Sequence, residues 1–166
     1  VFDTNMNGYA SSKLKIEQAL QAGKAVDIVL VARDPEDALV NGALPRAEGQ
    51  RRRFGSGRTV PIRDHIATHI GAMESVKRLA KEYAGNPLVS VTVIDNGLGK
   101  GKAMQRDVAW LDGVEYNDVE RRVTAALERE YEQGRITEAT YRGFGGSAQA
   151  AAQTDPAATG DRAEVP

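Results

Sequence analysis

Val26-Asp27-Ile28-Val29-Leu30-Val31-Ala32, followed at once by Arg33-Asp34-Pro35, decides the class of this fold. A seven-residue apolar run broken only by Asp27 has the composition of a parallel-sheet strand covered on both faces. Asp34-Pro35 then reads as a helix start. Aspartate is an N-cap acceptor, and proline is tolerated at the first helical position, where its missing N–H has no partner to lose. A strand that feeds directly into a helix is half of a βα unit, so the chain is expected to be an α/β protein with a parallel sheet and flanking helices.

Upstream of the strand, Ser11 or Ser12 can cap a helix reaching about residue 22. Leu14, Ile16, Ala19 and Leu20 are its apolar positions, and Gly23 stops it. Downstream, the helix opened by Pro35 runs through Ala38 and Leu39 into a basic stretch read as a loop. From Pro61 to about Tyr83 the apolar residues Ile62, Ile66, Ile70, Met73, Val76 and Leu79 recur at three- and four-residue steps, which predicts one long amphipathic helix. The valine-rich stretch 88–94 is the second strand. Two whole strands and a stub at Val1-Phe2-Asp3-Thr4, read as a strand tip running into a loop, make a narrow sheet. Val1 is no initiator methionine, so the chain reads as a piece of a longer protein whose remaining strands precede it.

Beyond residue 96 the pattern becomes helical. Asn117 and Glu120 are spaced as a capping box before a helix to about residue 133, with Val119, Val123, Ala126, Leu127 and Tyr131 on its apolar face. Thr137 begins a short helix ending near Phe144. Residues 147–166 carry almost no large apolar side chain and read as a disordered tail or linker. The expected division is 1–96 for the α/β part, 97–146 for a helical extension and 147–166 for the tail.

Composition narrows the function classes. With 166 residues the chain is about one domain, and its formal charge is −1, from 22 basic and 23 acidic residues. Any anion site is therefore local, and nucleic acid is an unlikely partner. There is no cysteine, which excludes disulfides and thiolate metal sites and makes the cytoplasm the expected compartment. No apolar run approaches the roughly 20 residues that span a bilayer, so no membrane partner is expected.

The stretch suited to a local anion site is Leu44-Pro45-Arg46 with Arg51-Arg52-Arg53-Phe54-Gly55-Ser56-Gly57-Arg58-Thr59-Val60-Pro61, expected as a mobile loop over polyanionic phosphate. Arginine presents a planar fork of donors matched to phosphate oxygens, and glycine lets backbone approach a ligand closely. The competing reading is a solvated basic loop. Base stacking finds little support, because Phe54 is the only aromatic there. At the C-terminal edge of the sheet, where open α/β folds bind ligands, stand Asp3, Thr4 and Asn5 after the first strand stub. They are partners for a sugar or nucleotide, or a plain turn. Arg33 occupies the same edge and either pairs with Asp34 or Asp37 or reaches an anion.

Two apparent motifs fail. Asn96-Gly97-Leu98-Gly99-Lys100-Gly101-Lys102 lacks the first glycine of a Walker loop, where Asn96 stands, and has Ala103 in place of Ser or Thr. It is a glycine-rich turn leaving the sheet. His65 and His69 have the i, i+4 spacing of zinc ligands, but Ile66 holds the metalloprotease glutamate position and no third ligand is evident. No metal site is expected; the histidines read as core-edge or capping residues, with His65 alternatively facing a ligand.

In order and spacing these motifs resemble the C-terminal half of the zeta-toxin family of P-loop kinases. The likeness runs from about Phe2 to Asn96. Phe2-Asp3-Thr4-Asn5 is similar to the strand end that places an acidic residue and a threonine near the substrate. The stretch from Lys13 to Ala22 is similar to the following helix, and that from Val26 to Pro35 to the next strand and its exit. Leu44-Pro45-Arg46 and Gly57-Arg58-Thr59-Val60-Pro61 resemble the two arginine segments that touch the ATP phosphates. The resemblance implies a partial P-loop kinase-like sheet and a phosphotransferase that uses ATP and Mg2+ to phosphorylate a hydroxyl, best known on a UDP-amino sugar. It implies Arg46 and Arg58 as catalytic and ATP-binding residues, and Asp3, Thr4, Asn5 and Arg33 as part of the acceptor pocket. In the family the phosphate-loop lysine and catalytic aspartate lie upstream of everything present here. This piece alone is accordingly expected to be inactive, with the missing N-terminal half and an antitoxin or immunity protein as partners. The alternative is a non-catalytic α/β interaction module of a larger mobile-element or effector protein.

Overall fold

The computed structural model describes residues 4–99 and 101–147. Strand β1 (Val26–Ala32) pairs in parallel with β2 (Val89–Asp95), Val26 opposite Val89 and Ala32 opposite Asp95. A three-residue strand β3 (Met104–Arg106) then adds antiparallel to β2, giving the order β1-β2-β3. Helix α1 (Tyr9–Gln21) precedes β1, and α2 (Pro35–Ala38), a π-helical turn (Leu39–Ala43) and α3 (Leu44–Phe54) follow it. The long α4 (Ile62–Glu82) leads to β2. After β3 come a 3-10 segment (Val108–Gly113), α5 (Val119–Glu132) and α6 (Glu138–Gly143). The molecule is an α/β fold with a mixed sheet. The antiparallel β3 was not legible because three residues are too short to show a period.

The first core lies on one face of the sheet. Ile28, Leu30 and Ala32 of β1 and Val93 of β2 meet Met73, Val76 and Leu79 of α4, with Ile16 of α1 and Leu111 of the 3-10 segment closing the layer. Of the α4 positions read from sequence, Ile66, Met73, Val76 and Leu79 are buried, and Ile62 and Ile70 are partly buried against the second core. The second core joins Leu39, Leu44 and Ala47 to Ile66 of α4 and to Val119, Val123, Leu127, Tyr141 and Phe144 of the last two helices. The helices beyond residue 107 thus share a core with the arginine-bearing α3.

Three expectations are corrected. First, β1 is not covered on both faces. Burial alternates along it, and Val29 and Val31 are each 58% exposed. A continuous apolar run states that both faces tolerate burial; which face is buried depends on what packs there.

Second, Arg46 and the Arg51-Arg52-Arg53 run lie on a helix, not in a loop. Pro45 stands in the first turn of α3, where it is tolerated, and Arg, Gln, Glu and Ala are good helix formers. Leu44, Ala47 and Glu48 supply the buried i, i+3, i+4 stripe. Gly55 at φ 77° ends the helix in the left-handed region, after three arginines that favour a helix C-terminus.

Third, two caps differ. α1 starts at Tyr9 after Gly8, whose carbonyl accepts from Ser11 Oγ at 2.9 Å, so neither serine is the N-cap. The Asn117 box does not form: Asp118 is the N-cap residue of α5, and the Asn117 amide donates to Glu115. By contrast Asp34 caps α2 as read, accepting from the N–H groups of Glu36 and Asp37, and Thr137 caps α6. The tail expected over 147–166 falls, from residue 148 on, outside the described residues.

On its other side β1 has no strand partner among the described residues. An edge strand with two exposed valines is a template for pairing. We expect this chain to self-associate as its concentration rises, and Val31→Lys to shift it toward monomer while changing stability by no more than about 0.5 kcal/mol. Light scattering over a concentration series checks this, and concentration-independent scattering by the unsubstituted chain would contradict it.

Candidate functional site

The arginine segment is built on α3. Glu48, buried on its inner side, accepts from the Thr137 N–H at 2.7 Å and the Thr137 hydroxyl at 2.8 Å. Burial alone would push its carboxyl up. Hydrogen bonds from Thr140 and Thr137, with the charge of Arg51, outweigh burial and hold it below the usual carboxylate range. Arg51 also donates to Thr140 Oγ1 at 3.3 Å. Helix α3 is therefore fixed to α6 through its inner face, while Arg46, Arg52 and Arg53 on the outer face are exposed.

After Gly55 the chain folds back along α3. A Cβ on Gly57 would stand 2.2 Å from the Ala47 carbonyl oxygen, so only glycine permits this approach. The Arg58 N–H donates to Gln50 Oε1 at 3.0 Å. Gln50 follows Arg46 by four residues, on the same helix face. The backbone at Arg58 is thereby held on the side of α3 that carries Arg46. Among the described residues no carboxylate pairs with Arg46, Arg52, Arg58 or Arg63, although the same chain pairs Arg33, Arg106, Arg122 and Arg135. Arg53 stacks over the exposed Phe54 ring, 5.3 Å from its centroid. Among the described residues the patch is a cationic surface without a paired carboxylate, the chemistry that takes a polyanion.

At the exit of β1 the alternatives left open for Arg33 resolve into an ion pair with Asp37, which holds the Asp37 carboxyl below its usual range. Asp34 and Glu36 are taken by Arg122 of α5 at 2.9 and 3.1 Å, and Arg129 reaches Glu36 at 3.4 Å. Behind this exit stand the two histidines. His65 is buried and its Nε2 donates to the Pro35 carbonyl at 2.8 Å. The His69 ring lies 4.6 Å from it, centroid to centroid. Burial, and then the neighbouring His65, push the His69 imidazole down to about 4, against a hydrogen bond to the Arg33 backbone. The pair clamps α4 to the strand exit.

Thr4 and Asn5 are exposed and form local turns, Thr4 Oγ1 accepting from Met6 N and Asn5 Oδ1 from Asn7 N, both at 3.4 Å. The segment then crosses α4 at Gly71, where a Cβ would stand 2.9 Å from the Asn7 carbonyl oxygen. Asp3 lies outside the described residues. Of the residues singled out from sequence, Arg46 lies on α3 one turn before Gln50, the residue that holds the Arg58 backbone. Arg33 sits against Gly42 in the π-helical turn leading to that helix. No hydrogen bond or ion pair among the described residues joins these arginines to Thr4 or Asn5. Gln50 and Glu48 were not legible as part of the site, since a polar residue inside an arginine-rich run gives no period or motif; only the four-residue step from Arg46 to Gln50 pointed there.

Among the described residues no group of three or more His, Asp or Glu side chains is placed to hold a metal ion. Among the same residues no helix is long and apolar enough to cross a membrane.

A family model described as Zeta toxin matches residues 1–107. No curated protein and no solved structure matches the chain.

Proposed function

The chain belongs to the zeta-toxin family, whose fold is that of a kinase-like, ATP-using phosphotransferase, and from that premise we propose that it supplies the phosphate-gripping arginines and part of the acceptor pocket of such an enzyme. The observation that carries the reading is the pair Arg46 and Arg58, both exposed and without a carboxylate partner among the described residues, with the Arg58 backbone bonded to Gln50 one turn of α3 beyond Arg46. ATP supplies the phosphoryl group in this chemistry. The protein's part is positioning and neutralisation of charge on the transferred group, and a guanidinium fork serves both. Arg33 would contribute by fixing the strand exit through Asp37, and Asp3, Thr4 and Asn5 by facing the acceptor hydroxyl, which we assign to a sugar nucleotide such as a UDP-amino sugar. Mg2+ would arrive with the nucleotide, held mainly by phosphate oxygens and water.

The open face bearing Val29 and Val31, and the edge of β1 that has no strand partner among the described residues, support packing of a phosphate-loop half against this part of the sheet. The same face favours the second reading, an interaction module without catalysis. A cytoplasmic setting and an antitoxin or immunity partner belong to the first. The test is phosphotransfer to a UDP-amino sugar by this chain joined to a phosphate-loop half, beside the 166-residue chain alone. Turnover in the joined protein and none in the chain alone is expected. Turnover by the chain alone would overturn the assignment of its role, and a folded but inert joined protein would favour the interaction module.

A further inference from the structure

We propose that Gln50 is a positioning residue, which sets Arg58 beside Arg46 and so prepares the anion site before ligand arrives; the proposal rests on the phosphate-gripping role given to these arginines above. Gln50 Oε1 takes the main-chain N–H of Arg58, at 3.0 Å, and does not engage the guanidinium. A bond to the side chain would have consumed the donors needed for phosphate. The contact also spans a segment that would otherwise be loose, since Gly55, Ser56 and Gly57 carry little to pack. Gly57 completes the fit by lying flat on the Ala47 carbonyl, and Ala47 is itself fully buried. The base of the device does not move freely either, because Glu48 on the inner face is bonded to Thr137. One turn of α3 thus faces two ways, Glu48 anchoring the helix and Gln50 holding the returning chain. Prepaying the ordering of Arg58 raises affinity by removing a cost otherwise met on binding.

The test uses the 166-residue chain and inorganic tripolyphosphate as the probe. Gln50→Met keeps the length of the side chain and removes the acceptor. It is expected to speed exchange of the Arg58 amide with water, seen by NMR, by about 3- to 10-fold, the range a single hydrogen bond supports. It should weaken tripolyphosphate binding by a similar factor, with the α3 amides and the melting temperature unchanged. Gln50→Glu retains an acceptor oxygen and should restore the slow exchange. In an Arg58→Ala background Gln50→Met should have no further effect on binding, which a merely structural role would not produce. Unchanged Arg58 exchange in Gln50→Met, or equal weakening with and without Arg58, would overturn the proposal alone. Tripolyphosphate binding indifferent to both Arg46→Ala and Arg58→Ala would overturn the phosphate reading, and this proposal with it.

Discussion

Replacing Arg58 with alanine is expected to slow phosphotransfer by about 10²- to 10³-fold in a protein that joins this chain to a phosphate-loop half, the loss typical of one preorganised donor to developing charge. The effect should fall on the chemical step, because the charge that an arginine fork neutralises is spread over the transferred group in the transition state. Arg58→Lys should recover only part of the rate: it keeps a point charge and loses the planar pair of donors. Melting should barely respond in either variant. Arg58 is exposed and has no carboxylate partner among the described residues, so its contribution to stability is small. Arg46→Ala should lower the rate in the same way if the two side chains grip one polyanion. The solvated-surface reading expects full activity in both alanine variants. Steady-state rates and thermal melts of the same four proteins separate the two, and unchanged turnover in both would remove the kinase role from this surface.

What the sequence disclosed follows the physics of each element. α4 was legible because its apolar residues repeat over 21 positions, long enough for the three- and four-residue steps to exclude a strand. β1 and β2 were legible from valine-rich runs bounded by helix and turn signals. α3 was not, although its length is ordinary. Its buried stripe is Leu44, Ala47 and Glu48, of which one is small and one is charged, so tertiary contacts with Thr137 and Thr140 stabilise what no hydrophobic period announces. The open face of β1 was misread for a related reason: composition records what a strand tolerates, and burial is decided by its neighbours. In the candidate site the arginines could be named one by one. Their common placement could not, because it depends on a hydrogen bond from residue 58 to residue 50 and on the absence of a side chain at Gly57.

The second large effect is expected in the response of stability to acid. His69 is held down to about 4 by burial and by His65, while an unfolded histidine titrates near 6.5. Below pH 6.5 the unfolded chain therefore takes up a proton that the folded chain refuses. The stabilisation is complete above the unfolded value and is lost as pH falls from 6.5 toward 4. At about 1.36 kcal/mol per pH unit, the loss is on the order of 2 kcal/mol by pH 5 and ~3 kcal/mol near pH 4. The carboxyls held low by their partners, Asp34, Asp37, Glu48 and Glu130, act in a different window. Their contributions are full above the ordinary carboxylate values and fail only as pH drops further. Between pH 6.5 and 5 the slope is thus expected to belong largely to His69. Position 69 lies behind the β1 exit, where protonation would place a cation beside His65 and near Arg33. His69→Gln removes the titration and keeps a polar side chain. Its absolute stability will differ, so the quantity to compare is the change between pH 7 and pH 5 in urea unfolding. The variant should lose most of that change, and an NMR titration of the unsubstituted protein should place the His69 ring well below 6.5. A variant with an undiminished slope, or a His69 ring that titrates near 6.5, would show that the clamp tolerates the charge.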